Sequence, residues 1–369
     1  MADSKLEKTL KKISSEKESI LPLSSKKDIG ANLLRDLIAD RLHHLFSLKK
    51  DWYVNIDSAS VEVASLAALS SLMDFGETFL TLSLASGGYP FYSSRLSIVS
   101  RAYRPISYNV DPSSGLIDYD EIARLIELHA PKVIISGGLT YPRIIDFEKI
   151  SKLAHRASAF HLADISSIAP LILAGLYPPP FKSTDLVLLD TQSLTGIKSG
   201  CLLSGEELSD RLARAVTPGI ETTFDEDKYI SLAAAFPIAS SQEAKKRTKQ
   251  SVKNASLLAS QLKKTSFTLM TDGTDTDCLI LDLRHQGLSG KEGRDLLKAA
   301  GIFAAPNFLF SDSDITSPSG LLLNTSHLPR GMKESEIKIL ASIISELLFK
   351  TKKPSEKKSE VLALLKKSQ

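Results

Sequence analysis

The chain has 369 residues, of which 43% are hydrophobic and 24% are charged, and its formal net charge is +3. This composition is ordinary for a globular protein, and the length allows a large domain with a smaller one beside it. No run of about 18 apolar residues is present, which argues against a transmembrane helix. Two cysteines, Cys201 and Cys278, without metal-ligand spacing argue against a disulfide framework and a zinc site. The N-terminus has no apolar signal-peptide core and carries acidic residues, so we expect a cytoplasmic protein.

Positive charge is concentrated at the two ends of the chain. Residues 1–27 contain seven lysines and four acidic residues, and residues 350–369 contain seven lysines and two acidic residues. Such ends are usually solvated, but lysine-rich arms also bind nucleic acid or an acidic partner. Composition leaves both interpretations open.

The first half of the chain predicts two helices followed by an α/β unit. Apolar residues recur at helical spacing over 1–19 and 28–48. Further along, short apolar runs alternate with helical patterns; the strands are predicted at 79–84, 132–136, 160–163 and 186–189, and the helices at 117–128 and 147–156. This alternation predicts a mainly parallel sheet covered on both faces, with ligands at the carboxyl ends of the strands.

The second half predicts a smaller unit of helices and strands. Helices are predicted at 209–215, 230–237, 243–263, 290–300 and 333–349, and strands at 278–283 and 320–324. Residues 351–358 are rich in Ser, Lys and Pro and predict a flexible linker before a short terminal helix. The predicted organisation is an N-terminal helical segment with a basic arm (1–50), a large α/β domain (51–240), a small α+β domain (241–349) and a basic tail (350–369).

Three long segments resemble the serine hydroxymethyltransferase family. The run GLIDYDEIARLIELHAPKVIISGGLTYPRIIDF at 115–147 is similar to the family's stretch before its cofactor strand. The run FHLADISSIAPLILAGLYPPP at 160–180 resembles the signature around the family's cofactor aspartate, and residues 271–302 resemble the start of its small domain. The resemblance runs collinearly over most of residues 20–345. It implies the fold type I architecture of pyridoxal-phosphate transferases: a large domain with a mainly parallel seven-stranded sheet, a small α+β C-terminal domain, and a dimer.

Against this family's pattern, the position of the Schiff-base lysine is changed. It corresponds to Ser193, two residues after Thr191, and a hydroxyl cannot form an imine. Lys198 lies several residues further along and aligns with an arginine of the family. The carboxylate at the pyridine-nitrogen position is kept as Asp164, although an aspartate at a strand end also caps helices.

The family's phosphate and substrate positions are changed as well. Its Ser-Gly-Ser phosphate cradle corresponds to Ser60-Val61-Glu62, which places a negative charge at the phosphate subsite. The ring-stacking histidine corresponds to Tyr89, which can still stack on a ring. The arginine that clamps the substrate carboxylate corresponds to Leu322.

Further family positions follow the same comparison. The family's Gly-Gly, which contacts the phosphate across the subunit interface, corresponds to Thr222-Thr223, and a glutamate corresponds to Lys26. A serine of the family corresponds to Leu139, and the histidine that follows the family's cofactor aspartate corresponds to Ser167. Arg143 is kept, either for function or in a structural ion pair.

We therefore predict a vestigial pocket without a catalytic role, formed by Ser60, Glu62, Tyr89, Asp164, Thr191, Ser193 and Leu322. Pyridoxal phosphate is expected to be lost, and no metal is expected. The chain is interpreted as a non-catalytic homologue that acts as a binding, assembly or regulatory subunit, in a homodimer or in a heterodimer with an active paralogue. Two alternatives stay open: an RNA or ribonucleoprotein partner that uses the Lys-rich ends, and an altered small-molecule enzyme of glycine and serine one-carbon metabolism in the ancestral pocket.

Overall fold

A computed structural model describes residues 3–19, 30–223, 225–310, 312 and 317–367. Its first two helices are α1 (Ser4–Ser19) and α2 (Ala31–Phe46). Helix α1 is packed onto the protein: Ile13 is 3% exposed and belongs to the same core as the apolar face of α2. Lys17 pairs with Glu226 at 2.7 Å. The described part of the basic arm is therefore docked rather than free, and residues 20–27, which include Lys26, lie outside the described residues.

The large sheet has seven strands. They are β1 (Trp52–Ser58), β2 (Thr78–Leu82), β3 (Arg104–Tyr108), β4 (Val133–Ser136), β5 (Phe160–Asp164), β6 (Leu186–Asp190) and β7 (Gly200–Gly205). Their order is β1-β7-β6-β5-β4-β2-β3, and β7 runs antiparallel to both of its neighbours while the remaining pairs are parallel. The prediction of a mainly parallel sheet is confirmed, and so are its four predicted strands.

Helices cover both faces of this sheet. They are α3 (Val61–Leu72), α4 (Pro90–Ser93), α5 (Ile98–Ala102), α6 (Tyr119–His129), α7 (Phe147–Arg156), α8 (Ala169–Leu173), α9 (Gln192–Thr195), α10 (Ser209–Val216) and α11 (Glu226–Ala239). Successive strand residues alternate between two cores: Phe79 and Val133 face the core that contains α3 and α10, whereas Leu80 and Ile134 face the core that contains α2, α6 and α11. Because both faces are buried, the strands are apolar along their whole length.

The second unit is built on a four-stranded antiparallel sheet. Its elements are α12 (Gln242–Lys264), β8 (Thr268–Leu269), β9 (Cys278–Asp282), α13 (Gly290–Ala299), β10 (Ala305–Asn307), β11 (Gly320–Asn324), α14 (Glu334–Leu348) and α15 (Pro354–Lys367). The strand order is β10-β11-β9-β8. The helices α12, α13, α14 and α15 pack their apolar residues with the strands into a separate core. Helix α13 begins with a capping box between Ser289 and Glu292.

The prediction of a flexible linker at 351–358 is wrong. Helix α15 begins at Pro354, and proline suits the first turn of a helix because its missing N–H would be unpaired there. Val361 and Leu364, three residues apart, are 5% and 6% exposed and belong to the core of the second unit. Lys357 pairs with Glu346 at 2.7 Å. The described part of the basic tail is therefore packed onto the protein.

Arg143 joins the two units. Its guanidinium pairs with Asp275 at 2.9 Å and donates through Nε to the Thr271 carbonyl oxygen at 3.1 Å. Arg143 follows β4, whereas Thr271 and Asp275 lie between β8 and β9. The structural ion pair considered for Arg143 is thus present. The domain boundary at residue 240 stays a prediction.

None of the described helices is both long and apolar enough to cross a bilayer. Cys201 and Cys278 are buried and free, and burial raises the pKa of both thiols. A buried thiol with a raised pKa is an unreactive apolar side chain.

Candidate functional site

Most of the predicted pocket residues lie at one edge of the large sheet. Strands β1, β5 and β6 end there with Ser58, Asp164 and Asp190, and the antiparallel strand β7 begins there with Gly200. A side chain at Gly200 would meet the Ser60 carbonyl oxygen, since a Cβ placed there lies 2.4 Å from it. Gly200 thus lets the β1–α3 loop approach β7 closely. This packing brings the start of α3 next to the end of β6.

Ser60 and Glu62 open helix α3. Ser60 is the N-cap residue, and its hydroxyl oxygen accepts a hydrogen bond from the Val63 N–H at 3.4 Å. A hydrogen bond from the Ser60 side chain is the main cause that lowers the pKa of Glu62, with its own backbone N–H and the charge of Lys198 contributing. Glu62 is therefore an ionised carboxylate at a helix N-terminus, where a negative charge is favoured.

Asp190 and Lys198 complete this charged group. Burial raises the pKa of Asp190, the negative charge of Glu62 adds to that rise, and the positive charge of Lys198 opposes it. Lys198 thus faces two carboxylates from different elements. In a group of this kind, the lysine compensates a negative charge that the chain itself supplies.

Thr191 and Ser193 belong to the turn between β6 and β7. Thr191 is fully buried, and its hydroxyl donates to the carbonyl oxygens of Ile197 and Ser199 at 2.7 and 3.2 Å. Ser193 lies exposed on the short helix α9, and its hydroxyl donates to the Asp190 carbonyl oxygen at 3.0 Å. Both hydroxyl groups are used to hold the turn, and neither lies within hydrogen-bond distance of a described imidazole that would activate it.

Asp164 is the most buried carboxylate of the site. It is 2% exposed, and its oxygens accept hydrogen bonds from the Ser166 N–H at 3.0 Å and from the Tyr92 hydroxyl at 3.3 Å. Burial raises the pKa of Asp164 to about 6, although these hydrogen bonds favour the ionised form. The carboxylate is thus held by the protein on both oxygens.

Two tyrosines cover Asp164. The hydroxyl of Tyr89 accepts from the Ser167 N–H at 3.1 Å, and its ring meets the Tyr92 ring edge to face, with centroids 6.2 Å apart. Tyr92, whose role the sequence analysis missed, is 1% exposed and also hydrogen-bonds to the Ser65 hydroxyl of α3 at 2.8 Å. Its only signal in the sequence is that it follows Tyr89 by three residues, on the same side of α4.

A second missed group lies beside the end of β1. Asp57 accepts a hydrogen bond from the Tyr229 hydroxyl and pairs with Arg35 at 2.7 Å. The Lys228 ammonium group approaches the Ser58 carbonyl oxygen at 3.4 Å. These residues are up to about two hundred positions apart in the chain, so no local pattern could identify them.

The remaining predicted positions lie on other segments of the chain. Leu322 lies in β11 of the second sheet, in register with Ile280 and Ala305, so another part of the chain places it. Leu139 is 50% exposed, and the hydroxyl of Ser167 donates to the Gly138 carbonyl oxygen at 2.6 Å. Among the described residues, no cluster of three or more His, Cys, Asp or Glu side chains could hold a metal ion.

The comparisons with known proteins agree on one family. A sequence model of the serine hydroxymethyltransferase family matches residues 31–344. The chain is 34% identical over 314 residues to a 2-methylserine hydroxymethyltransferase of Ensifer sp; the aligned region covers 84% of this chain and 73% of the relative. It is also 34% identical over 322 residues to a serine hydroxymethyltransferase of Leptospira biflexa serovar Patoc, covering 86% and 77% respectively. The resemblance inferred from the sequence motifs and the fold type I architecture are thereby confirmed.

The expectation that the cofactor is lost is corrected by the same comparisons. Enzymes of the matching family depend on pyridoxal phosphate, and homologues that are 34% identical to this chain carry hydroxymethyltransferase names. The expectation rested on the combined change at the lysine, phosphate and substrate positions. A noncovalent ring site does not require the lysine; Asp164 is kept, and Tyr89, which replaces the histidine, can still stack on a ring.

The chain's residues fit this group only in part. A buried carboxylate and a tyrosine ring are present where the pyridine ring would be expected, but residue 193 has no amine, and Glu62 takes up the helix N-terminus. Because covalent attachment at residue 193 and the phosphate position do not fit, we derive no chemical step through the cofactor.

Proposed function

Because the chain belongs to the serine hydroxymethyltransferase family, we propose that it is a member without hydroxymethyltransferase activity that acts as a binding, assembly or regulatory subunit. The observation that carries the proposal is Ser193. A hydroxyl group stands where the family has its reactive amine, and this hydroxyl is donated to the Asp190 carbonyl oxygen.

Lys198 is poorly suited to take over the reaction. Its positive charge acts on the carboxylates of Glu62 and Asp190. It lies beyond the short helix α9, on the segment that leads into β7. We infer that Lys198 balances Glu62 rather than attacking a carbonyl group.

The substrate position supports the same proposal. Leu322 carries no charge, and its neighbours in register are Ile280 and Ala305, so a substrate carboxylate would meet apolar side chains there. An unpaired carboxylate against an apolar surface loses its hydration without compensation. Binding of an amino acid in the manner of the family is therefore disfavoured.

For the subunit role, we propose a homodimer or a heterodimer with an active paralogue. Members of the family are typically oligomeric. Leu96, between α4 and α5, is 93% exposed, and Ile98, the first residue of α5, is 53% exposed. Neighbouring exposed apolar side chains of this kind are typical of a surface that is covered in an assembly.

An RNA-binding role is the less favoured candidate. It relied on free Lys-rich ends, whereas α1 and α15 are both packed onto the protein through Ile13 and Leu364. Only solvent-facing lysines such as Lys11 and Lys12 would be available on α1. Measurement of RNA binding across a salt series, with the full chain, tests this candidate because phosphate contacts give a steep salt dependence.

Activity measurements test the main proposal. The purified chain, with pyridoxal phosphate added, is incubated with serine or 2-methylserine, and formation of glycine or alanine is measured. We expect no turnover above that of a Ser193→Ala control, whether or not the cofactor binds. Turnover by the wild type that Ser193→Ala or Lys198→Gln abolishes would contradict the proposal. Light scattering then measures whether the chain alone forms a dimer.

A further inference from the structure

A groove in the second unit is lined by cationic side chains. It lies between the first half of α12 and the segment that joins β11 to α14, and its volume is about 510 Å³. Volumes of this size are typical of sites for small organic ligands. The residues that line the groove are far in sequence from those of the candidate site, except for Leu322, which lies in the preceding strand β11.

The charge of the groove is unusual for this chain. Five cations line it, and the two carboxylates Glu243 and Glu334 are their only acidic neighbours in the lining; the cations are Lys246, Arg247, Lys253, Arg330 and Lys333. The lining therefore has a net charge of +3. Since the chain between its two basic ends is net negative, this is a local concentration of positive charge.

Two ion pairs span the groove. Arg330 pairs with Glu243 at 2.7 Å, and Lys253 pairs with Glu334 at 2.7 Å, so each pair joins α12 to the opposite wall. Arg247 adds a hydrogen bond to the Ser326 carbonyl oxygen at 3.2 Å. These contacts leave the walls connected at three points without a ligand.

Two cations of the lining have no such contact. Lys246 and Lys333 are exposed, and no ion pair or side-chain hydrogen bond of either ammonium group is formed within the described part of the chain. An anion in the groove would be attracted to both ammonium groups. They are therefore available to a bound anion without breaking the contacts that span the groove.

The rest of the lining indicates the kind of anion. The floor is polar, with Asn254 4% exposed and bonded to Gln250 at 2.8 Å, while Leu328 and Met332 supply an apolar side. No aromatic side chain lines the groove for base stacking, which disfavours single-stranded nucleic acid. Lysine charges and an arginine fork suit phosphoryl oxygens.

We propose that this groove between α12 and the β11–α14 segment binds a small organic phosphate that carries at least two negative charges. Lys246 and Lys333 contact its phosphoryl oxygens, Arg247 supplies a directional donor, and the apolar side covers the organic part. The proposal is independent of the activity at the candidate site.

Calorimetric titration of the full chain at low salt tests the proposal, with inorganic pyrophosphate and adenosine diphosphate as probes. We expect a dissociation constant below about 1 mM for pyrophosphate, and tighter binding of adenosine diphosphate. The double variant Lys246→Gln/Lys333→Gln should bind both probes at least about tenfold more weakly, since two charge-assisted contacts are lost. Because neither side chain is bonded in the fold, circular dichroism should be unchanged.

Two controls locate the binding. Lys11→Gln/Lys12→Gln removes the same charge from α1, and Lys198→Gln alters the candidate site; both should bind pyrophosphate within about twofold of the wild type. Absence of binding at about 10 mM pyrophosphate, or an equal loss in the α1 control, would overturn the proposal. If citrate bound with the same affinity as pyrophosphate, the proposed preference for a phosphate would be refuted. Binding of a single-stranded oligonucleotide without binding of pyrophosphate would refute a site for a small ligand.

Discussion

The buried imidazole of His161 makes a quantitative prediction about acid stability. His161 is fully buried in β5, with the Ser136 hydroxyl 2.7 Å from Nε2 and the Ser151 hydroxyl 2.5 Å from Nδ1. Burial lowers the pKa of His161 to about 3. In the unfolded chain, a histidine has a pKa of about 6.5.

The direction of the pH dependence of stability follows from proton binding at His161. Between pH 6.5 and 3, the unfolded chain binds a proton at His161 that the folded chain does not bind, so the free energy of unfolding falls as the pH falls. The full difference in pKa corresponds to about 5 kcal/mol, and about 2 kcal/mol of it is lost between pH 7 and pH 5. His161→Gln removes this contribution while it keeps a donor and an acceptor for the two serines.

Urea unfolding at several pH values measures the effect. At pH 7 the variant should be less stable than the wild type, by about 1–3 kcal/mol for the altered packing and hydrogen bonds. This difference should shrink by about 2 kcal/mol at pH 5, because only the wild type has lost the histidine contribution. His285→Gln, at an exposed position, is the control and should show a constant difference. Parallel stability curves for His161→Gln and the wild type from pH 7 to pH 5 would refute the reasoning.

Three further predictions concern the site and the packing around it. Since burial raises the pKa of Asp164 to about 6, the folded chain binds a proton there between about pH 4 and 6 that the unfolded chain does not, and stability from this group falls as the pH rises. Asp164→Asn should therefore gain about 2 kcal/mol relative to the wild type between pH 4 and pH 7 in urea unfolding, whereas exposed Asp51→Asn should gain nothing. Arg143→Ala should lower the free energy of unfolding by about 3 kcal/mol because it removes the contacts between the two units, and Arg143→Lys should recover part of it; an unchanged melting temperature would speak against this role. Leu364→Ala should lower the free energy of unfolding by about 2–3 kcal/mol because Leu364 of the docked helix α15 is buried. Leu365 is 41% exposed, so Leu365→Ala should lower it much less. Equal small losses of stability for the two variants would indicate that the tail is free.

Local patterns predicted the parallel part of the large sheet well. The runs around Leu80, Ile134 and Leu188 are apolar along their length because both faces of the sheet are covered. The strands β1, β3 and β7 were not predicted, and neither was the pairing of β1 with β7. That pairing joins Trp52 to Gly205, and the packing of the whole sheet decides such a contact rather than either segment alone.

The ends of the chain illustrate the limits of composition. Lysine content indicated arms at both ends that are either solvated or bound to a partner. Ile13 and Leu364 are buried, however, so α1 and α15 pack against the protein while their lysines face outward or form ion pairs. Burial of an apolar side chain stabilises a docked helix by more than the exposed charges oppose it.

For the candidate site as well, the sequence identified the residues, and the tertiary structure decided their contacts. The resemblance of motifs identified Ser60, Glu62, Asp164, Thr191 and Ser193, and it identified which side chains they replace, because those facts reside in the order of residues. That Tyr92 bonds to Asp164 and that Glu62 and Asp190 share the charge of Lys198 depends on strands that meet at one sheet edge. Hydrogen bonds and charge interactions act over a few ångströms regardless of sequence separation, so the tertiary structure alone decided how these residues affect one another.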